Sequence, residues 1–261
     1  MKKNLKVYFV QTDLYWQDKK ANLLNLENLI SHTKNPDVIL LPEMFNTAFC
    51  PSATHLAETM QENTVNWMIN ISKKKKCAVS GTLMVKENGS IFNRLVWISK
   101  SGKIYSYDKR HLFSLINEQK YILAGNKRLI VEEQGWKICP LVCYDLRFPV
   151  YSRNDINYDV LIYLANWPER RVDAWKSLLK ARAIENQCYT IGVNRIGVDG
   201  SGVFFNGNSL ALDAFGNELI KPSRLSTTFS IILHKNHIKL TREKINFLKD
   251  RDQFKLINFP N

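Results

Sequence analysis

The sequence predicts a single α/β domain in which βαβ units are combined with β-hairpins. Apolar runs rich in Val, Ile, Leu and Tyr alternate with segments whose apolar residues recur at helical spacing. The 261 residues, of which 45% are hydrophobic, are enough for one large core. No internal repeat, low-complexity linker or sharp change of composition divides the chain, so residues 1–261 are predicted to form one domain.

Alternating strands and helices are predicted for the first half of the chain. The segments are a strand at 5–11, a helix at 18–33, a strand at 37–43 and a second helix at 62–76. The run "KKKK" at the end of the second helix fits there, because lysines at a helix C-terminus interact favourably with the helix dipole. Three strand runs within 77–109 are separated by the turn sequences "ENGS" and "KSGK".

The second half continues this alternation and ends in a basic segment. Strands are predicted at 136–143, 159–166 and 188–197, and a helix at 171–187. A hairpin in "NSLALDAFGNEL" with the turn "AFGN", a strand in "TTFSIIL" and a terminal helix in "LTREKINFLKDRDQF" follow. Residues 221–261 carry nine Lys or Arg against three Asp or Glu, so we expect this segment to lie on the surface.

The charge and hydropathy patterns argue against nucleic-acid and membrane proteins. Lys and Arg number 37 against 24 Asp and Glu, a net charge of +13 that permits non-specific attraction to acidic partners. The basic residues are scattered and are not interleaved with aromatic residues, so we expect no nucleic-acid partner. No apolar run approaches the roughly 18 residues of a transmembrane helix, and we expect no membrane partner.

The cysteine and glycine patterns predict neither disulfides, metal nor nucleotide. Five cysteines, an odd number, lie mostly in apolar runs, and Gln11 and Asp13 interrupt the first apolar run too early for a signal peptide. A reducing, cytoplasmic location is therefore expected. Neither C-x-x-C nor H-E-x-x-H occurs, and "GVDGSGVFFNG" lacks the dinucleotide-binding glycine spacing, so no metal or cofactor is predicted.

Three apolar strand runs end in a side chain that can take part in catalysis. "VILLP" leads into Glu43, "KIYSYD" into Lys109 and "KICPLV" into Cys143. In open α/β sheets ligands usually bind beyond the carboxyl ends of the strands. Taken singly, the three residues are also compatible with a solvated loop glutamate, an exposed lysine and a buried structural thiol. Taken together, they predict one cleft.

The chemistry of this set is acyl transfer through a thioester. A carboxylate such as Glu43 can take the thiol proton of Cys143, because the thiolate is the nucleophile. The ammonium of Lys109 and the backbone N–H of Tyr144 can stabilise the oxyanion that forms on an attacked carbonyl. The alternative base is His111, for which a structural role is favoured, although spacing alone does not exclude a Cys–His pair.

At these residues the sequence resembles the nitrilase, or carbon–nitrogen hydrolase, superfamily. The matching blocks are "VILLPEMFNTAF", "YDKRHLF", "PLVCYDLRFP", "LANWPERRVDAWKSLLKARAIENQ" and "NRIGVDGSG", and the resemblance extends to about Ile220. It implies Glu43 as general base, Lys109 as oxyanion stabiliser and Cys143 as nucleophile, with Glu118 as a second glutamate that orients Lys109 or the attacking groups. It also implies a four-layer α-β-β-α sandwich and a homodimer, in which a C-terminal extension at 221–261 lies at the subunit interface.

The resemblance is greatest to the omega-amidase branch, which implies small 2-oxo acid omega-amides as substrates. The expected substrates are 2-oxoglutaramate and 2-oxosuccinamate, each hydrolysed to a 2-oxo acid and ammonia. Their carboxylate requires a cation, and the arginines considered for it are Arg147, Arg170, Arg171 and Arg195. The substrate-binding residues predicted are Phe45, Trp167 and Arg170, whereas Arg147 is expected to form a structural salt bridge.

Two alternatives to this activity are retained. One is an amidase for another small amide, such as deaminated glutathione or an N-carbamoyl compound. The other, from a different class, is a catalytically silent binding protein on the same fold.

Overall fold

Two β-sheets packed face to face, with helices on their outer faces, make up the fold in this computed structural model, which describes residues 2–256. Within that range the strands are β1 (Asn4–Gln11), β2 (Val38–Leu40), β3 (Ala78–Glu87), β4 (Ser90–Ile98), β5 (Ile104–Asp108), β6 (Val131–Glu133), β7 (Trp136–Val142), β8 (Val160–Leu164), β9 (Tyr189–Val193), β10 (Ile196–Val198), β11 (Phe204–Asn206), β12 (Leu210–Leu212) and β13 (Thr227–His234).

Helices lie outside both sheets and in the connections. The α-helices of the described chain are α1 (Lys19–Ser31), α2 (Asn63–Lys75), α3 (Pro149–Ser152), α4 (Val172–Asn186) and α5 (Lys235–Lys244). Short 3-10 segments are formed by Thr54–Leu56, Ser114–Ile116, Glu118–Lys120, Cys143–Arg147, Glu169–Arg171 and Phe247–Asp250. The predicted order of strands and helices is therefore found as far as β9.

The topology brings the carboxyl ends of two sets of parallel strands together. The first sheet has the order β13-β1-β2-β3-β4-β5, with β1, β2 and β3 parallel. The second has the order β12-β9-β8-β7-β6, with β7, β8 and β9 parallel. A smaller sheet pairs β10 with β11.

Strand β1 is buried on both of its faces and contributes side chains to two hydrophobic cores. Leu5, Val7 and Phe9 point into the core between the two sheets. Tyr8 and Val10 point the other way, into a second core with residues of α1 and α2. Because successive side chains of a strand alternate between its faces, a nearly continuous apolar run is what a strand buried on both faces requires.

Helix α4 covers the outer face of the second sheet. Trp175, Leu179 and Ala183, spaced four residues apart, form its buried stripe. Gly192 of β9 permits the close approach, because a Cβ atom there would lie 2.5 Å from Leu179 Cδ1 and 2.6 Å from Trp175 Cζ2. The layer order is thus helix, sheet, sheet, helix, which confirms the predicted four-layer sandwich.

Two predicted C-terminal elements differ in the structure. The terminal helix begins at Lys235 and ends at Lys244, and a 3-10 turn that buries Leu248 follows. The helix ends there because Ile245 takes an extended conformation, with φ −137° and ψ 87°. The expected hairpin is present but short: the Leu219 N–H donates to the Ala211 carbonyl at 2.8 Å and the Asp213 N–H to the Asn217 carbonyl at 2.9 Å, and the other edge of β12 pairs with β9.

The predicted extension at 221–261 begins as an integral part of the first sheet. All eight residues of β13 pair with β1, from Asn4 opposite His234 to Gln11 opposite Thr227. Residues 257–261 of the predicted extension lie outside the described residues. Among residues 2–256 no helix has the length and apolar character needed to cross a membrane.

Candidate active site

Three strand ends deliver Glu43, Lys109 and Cys143 to one place between the sheets. Glu43 follows β2 of the first sheet after two residues, and Lys109 directly follows β5 of the same sheet. Cys143 directly follows β7 of the second sheet. The structure therefore brings together residues that are up to 100 positions apart in the chain.

Lys109 bridges two buried carboxylates. Its Nζ lies 2.9 Å from Glu43 Oε1, and 3.0 and 3.2 Å from the two carboxylate oxygens of Glu118. Glu118 also accepts the backbone N–H of Phe113 at 2.6 Å, which fixes its orientation. Since each of the three charged side chains is at most 1% exposed, the ammonium and the carboxylates are held almost without water.

Cys143 occupies a strained position at the mouth of this cluster. Its φ of +43° lies in the left-handed region, which is unfavourable for a residue with a Cβ atom and turns the chain sharply after β7. Its Sγ lies 3.7 Å from the carbonyl oxygen of Asn166, and the residue as a whole is 9% exposed. Cys143 and Lys109 both line a cavity of about 290 Å³.

Burial and charge shift the titration of this cluster in defined directions. Burial raises the pKa of the Cys143 thiol well above its usual range, the charge of Glu43 raises it further, and Lys109 lowers it. Burial alone would lower the pKa of Lys109, but the carboxylates of Glu118 and Glu43 outweigh it and raise that pKa. Burial raises the pKa of Glu118 against the opposing effect of Lys109. Cys143 is therefore a thiol at rest and Lys109 an ammonium.

Three polar residues that sequence reasoning missed complete the cluster. Asn93 Nδ2 donates to Glu43 Oε1 at 2.9 Å, and Thr82 Oγ1 in turn donates to Asn93 Oδ1 at 2.8 Å. The backbone N–H of Asn166 donates to Glu43 Oε2 at 2.9 Å. Asn166 follows the strand run "DVLIYLA", as Cys143 follows its own strand, so the sequence pattern could have predicted it at the site. Asn93 and Thr82 lie inside strands, and no pattern in the sequence marks them as site residues.

His111 supports the turn after β7 instead of pairing with Cys143. Its Nδ1 lies 2.8 Å from Asp145 Oδ1, and its ring stacks on Phe148 with centroids 3.8 Å apart. The other oxygen of Asp145 accepts the Val142 N–H at 3.0 Å. The favoured structural role of His111 agrees with this geometry.

Tyr144 and Trp167 lie at the cavity, whereas Phe45 does not. The Tyr144 N–H is in the first turn of the 3-10 segment Cys143–Arg147, where an amide has no acceptor within its own segment. Phe45 is fully buried between the first sheet and α2, with its ring centroid 5.9 Å from that of Trp67. The expectation that Phe45 lines the pocket was wrong, because the chain turns at Met44, which has a φ of +43°.

The four candidate arginines separate into two groups. Arg147, Arg170 and Arg171 all line the cavity. Arg195 is fully buried elsewhere and its guanidinium pairs with Asp13 at 2.6 Å. The salt bridge expected for Arg147 is absent within residues 2–256, and its guanidinium instead lies 5.0 Å from the Trp167 ring centroid.

Comparison with known proteins decides the family. The sequence profile described as "Carbon-nitrogen hydrolase" matches residues 6–242, which is most of the chain. The chain belongs to the carbon–nitrogen hydrolase family. The predicted family and the predicted class of enzyme, a hydrolase of carbon–nitrogen bonds, are thereby confirmed.

Curated relatives of this carbon–nitrogen hydrolase are amidases. "Omega-amidase YafV" of Escherichia coli K12 is 39% identical over 254 residues, which are 97% of this chain and 98% of the relative. "2-oxoglutaramate amidase" of Bacillus subtilis is 34% identical over 82% of this chain and 85% of its own. Among solved structures, the CN-hydrolase superfamily protein XC1258 of Xanthomonas campestris has a TM-score of 0.94 and 35% identity. The match covers 97% of this chain and 99% of XC1258, whose active site holds an arsenic adduct.

The cavity of this carbon–nitrogen hydrolase is suited to hydrolysis by its own side chains. In the described part of the chain no set of three or more His, Cys, Asp or Glu side chains is arranged so that it could hold a metal ion. What converges is a thiol, an ammonium and two carboxylates, which can supply a nucleophile, an oxyanion partner and a proton acceptor.

Proposed function

We propose that this carbon–nitrogen hydrolase cleaves the terminal amide of small 2-oxo acid omega-amides through a thioester on Cys143. The observation that carries the proposal is the Lys109 ammonium, which is hydrogen-bonded to Glu43 and Glu118 beside Cys143 on a cavity with a basic wall. Glu43 acts as general base, Lys109 and the Tyr144 N–H hold the oxyanion, and Glu118 positions Lys109. The names of the two curated amidase relatives support this assignment.

The first step forms the carbon–sulfur bond. Glu43 accepts the thiol proton as the sulfur of Cys143 attacks the amide carbon, and the carbonyl electrons move onto oxygen. Negative charge thus leaves Glu43 as it appears on the oxyanion, where the Lys109 ammonium and the Tyr144 N–H stabilise it. The buried site keeps the same net charge, which avoids the cost of adding a charge where water is excluded.

The later steps release ammonia and then the acid. The tetrahedral intermediate breaks its carbon–nitrogen bond, and the proton held by Glu43 passes to the departing nitrogen to give ammonia. Water then attacks the thioester carbon while Glu43 takes one of its protons. The carbon–sulfur bond breaks, the proton returns to Cys143, and the 2-oxo acid leaves.

The size and walls of the cavity suit short anionic amides. A volume of about 290 Å³ is at the lower end of the range of roughly 300–1,000 Å³ that is usual for small-molecule sites. Trp167 gives one wall an apolar face, and arginines provide positive charge beside it. The proposed substrates are 2-oxoglutaramate and 2-oxosuccinamate.

The proposal is tested by turnover together with mass spectrometry. The purified protein should release ammonia and 2-oxoglutarate from 2-oxoglutaramate, and a slow amide should leave an acyl adduct on the peptide that contains Cys143. Cys143→Ala should abolish both, whereas Cys139→Ala, four residues earlier in the same strand, should retain them. Substantial activity in Cys143→Ala, or an adduct on another cysteine, would contradict the mechanism. A clear preference for deaminated glutathione, N-carbamoyl amino acids or nitriles would overturn the branch assignment.

We further propose a cytoplasmic homodimer to which the segment after Lys221 contributes. Its described part exposes several apolar side chains, as an interface would require: Ile232, Leu240, Ile245 and Phe247. All five cysteines are free, which suits a reducing compartment. Light scattering on the purified protein should give twice the chain mass, and a monomer mass at micromolar concentration would contradict the dimer.

A further inference from the structure

Three arginines line the active-site cavity, and none of them pairs with Asp199, a carboxylate that also lines it and accepts the backbone N–H groups of Ser201 and Val203. Arg147, Arg170 and Arg171 all line the cavity, and within residues 2–256 none of them forms an ion pair. The acid next to them in the chain, Glu169, accepts a hydrogen bond from Asn206 at 3.2 Å instead. Like charges held close together on a partly desolvated wall are unfavourable, so the arrangement requires an anionic ligand.

Arg171 is the best held of the three. Its backbone N–H donates to Pro168 O at 3.0 Å, and its carbonyl oxygen accepts the Trp167 indole N–H at 2.7 Å. Its guanidinium lies 5.0 Å from the ring centroid of Phe113, which is a cation–π distance. Backbone and side chain are therefore both fixed before a ligand arrives, which reduces the entropy that binding costs.

Arg171 also lies within electrostatic reach of the nucleophile. Burial lowers the pKa of Arg171, the neighbouring charges of Arg170 and Arg147 lower it further, and a charge on Cys143 raises it. Arg170, by contrast, is exposed to solvent at the cavity rim. Cys143 and Arg171 line the same cavity of about 290 Å³, so a ligand that places one end at Cys143 and an anionic group at Arg171 is a short one.

We propose that Arg171 is the specificity-determining residue that holds the carboxylate of the substrate, in place of the exposed Arg170 predicted from the sequence. This inference rests on the proposed function, since it assigns one end of the substrate that Cys143 attacks at the other. The planar guanidinium offers two parallel N–H donors to a carboxylate, which a neutral analogue cannot use. The site therefore selects omega-amides whose far end is an anion.

The test compares an acid with its ester in matched variants. 2-Oxoglutaramate and its methyl ester present the same amide, but only the acid carries the charge. Arg171→Gln should lower kcat/KM for the acid about 10- to 100-fold, mainly through KM, and for the ester less than about 3-fold. Arg170→Gln should change the acid-to-ester preference less than Arg171→Gln does. Lys180 is an exposed residue of α4, and Lys180→Gln should leave kcat/KM unchanged for both the acid and the ester.

The outcomes separate this inference from the proposed function. If the wild-type protein hydrolyses neither substrate, the proposed function fails. If it hydrolyses the acid but Arg171→Gln lowers kcat/KM equally for the acid and the ester, the assignment of Arg171 is wrong. The assignment is also wrong if Arg170→Gln changes the acid-to-ester preference more than Arg171→Gln does. Should Arg171→Gln not fold, Arg171→Lys replaces it, because a lysine keeps the charge but loses the paired donors. An unchanged acid-to-ester preference in Arg171→Lys overturns the inference, and a reduced preference supports it.

Discussion

The thiol of Cys143 and the carboxylate of Glu43 both contact the backbone of one residue, Asn166. The N–H of Asn166 donates to Glu43, and the carbonyl of Asn166 lies 3.7 Å from the sulfur. Because burial and the charge of Glu43 both raise the pKa of Cys143, the proton stays on sulfur until substrate arrives. In the proposed mechanism, Glu43 therefore takes the proton of Cys143 in the same step in which the carbon–sulfur bond forms.

Glu43→Gln should separate the reactivity of the thiol from catalysis. Removing the negative charge removes one cause of the raised pKa of Cys143, whereas Lys109 continues to lower it. The thiol pKa of the variant therefore falls. The rate of alkylation by iodoacetamide should then begin to rise at a lower pH than in the wild type. Amide turnover should be lost, since no base remains.

The alkylation profile should be followed by mass spectrometry on the Cys143 peptide. Cys139 is the internal control, because it is fully buried and its thiol pKa is about 12. An alkylation profile that moves to higher pH in Glu43→Gln would contradict the electrostatic coupling of the two residues.

At the level of elements, the carboxylate of Asp145 stabilises the turn between β7 and α3. Asp145 accepts the Val142 N–H at 3.0 Å, the Tyr107 hydroxyl at 2.8 Å and the His111 N–H at 3.1 Å. These bonds join the second sheet to β5 of the first sheet, directly beneath the nucleophile. They also hold Cys143 in its left-handed conformation, which an unsupported turn would relax.

Asp145→Asn should weaken this support while keeping the side-chain size. The carboxylate of Asp145 accepts hydrogen bonds through both of its oxygens, whereas an amide has only one oxygen that can accept. At least one of the buried donors therefore loses its acceptor, which lowers the free energy of unfolding by about 1–3 kcal/mol. We expect kcat to fall as well, because the sulfur is no longer held against the carbonyl carbon. Urea unfolding and steady-state kinetics measure the two effects. Asp173→Asn, on the exposed face of α4, is the control. Wild-type stability and kcat in Asp145→Asn would show that the turn is self-supporting.

The elements also show what the sequence could and could not predict. Glu43, Lys109 and Cys143 end strand runs, and ligands usually bind beyond the carboxyl ends of strands, so a common cleft was predictable. Asn93 lies within β4, and whether its side chain faces the cleft depends on how the two sheets pack. Phe45 was misplaced for a related reason, because the left-handed Met44 is not marked by a glycine.

For the whole molecule, β13 is a full-length partner of β1 in the first sheet, and it buries Ile231 and Leu233. The two strands pair over eight residues, and Phe9 stacks on Phe229 with centroids 5.0 Å apart. The basic C-terminal segment, which composition alone placed on the surface, thus supplies an edge strand that covers β1. Composition describes which residues can face solvent, but it does not describe which strand they will pair with.

Truncation before β13 should therefore expose β1. A chain that ends at Ser226 leaves the backbone groups of β1 unpaired along a long apolar edge, and such edges promote aggregation. We expect the truncated protein to be insoluble or to aggregate in sedimentation experiments. A chain that ends at Asp252 keeps β13 and α5 and should remain soluble. A soluble, folded chain lacking residues after Ser226 would contradict the structural role of β13.

The pairing of β1 with β13 has a consequence during protein synthesis. Strand β1 pairs on one side with β13, a strand that is synthesised more than 200 residues later. At 5–20 residues per second, β1 waits about 10–45 s for this partner. The nascent chain thus carries an incomplete first sheet until β13 has been made, and closure of the active-site sandwich follows the synthesis of that strand.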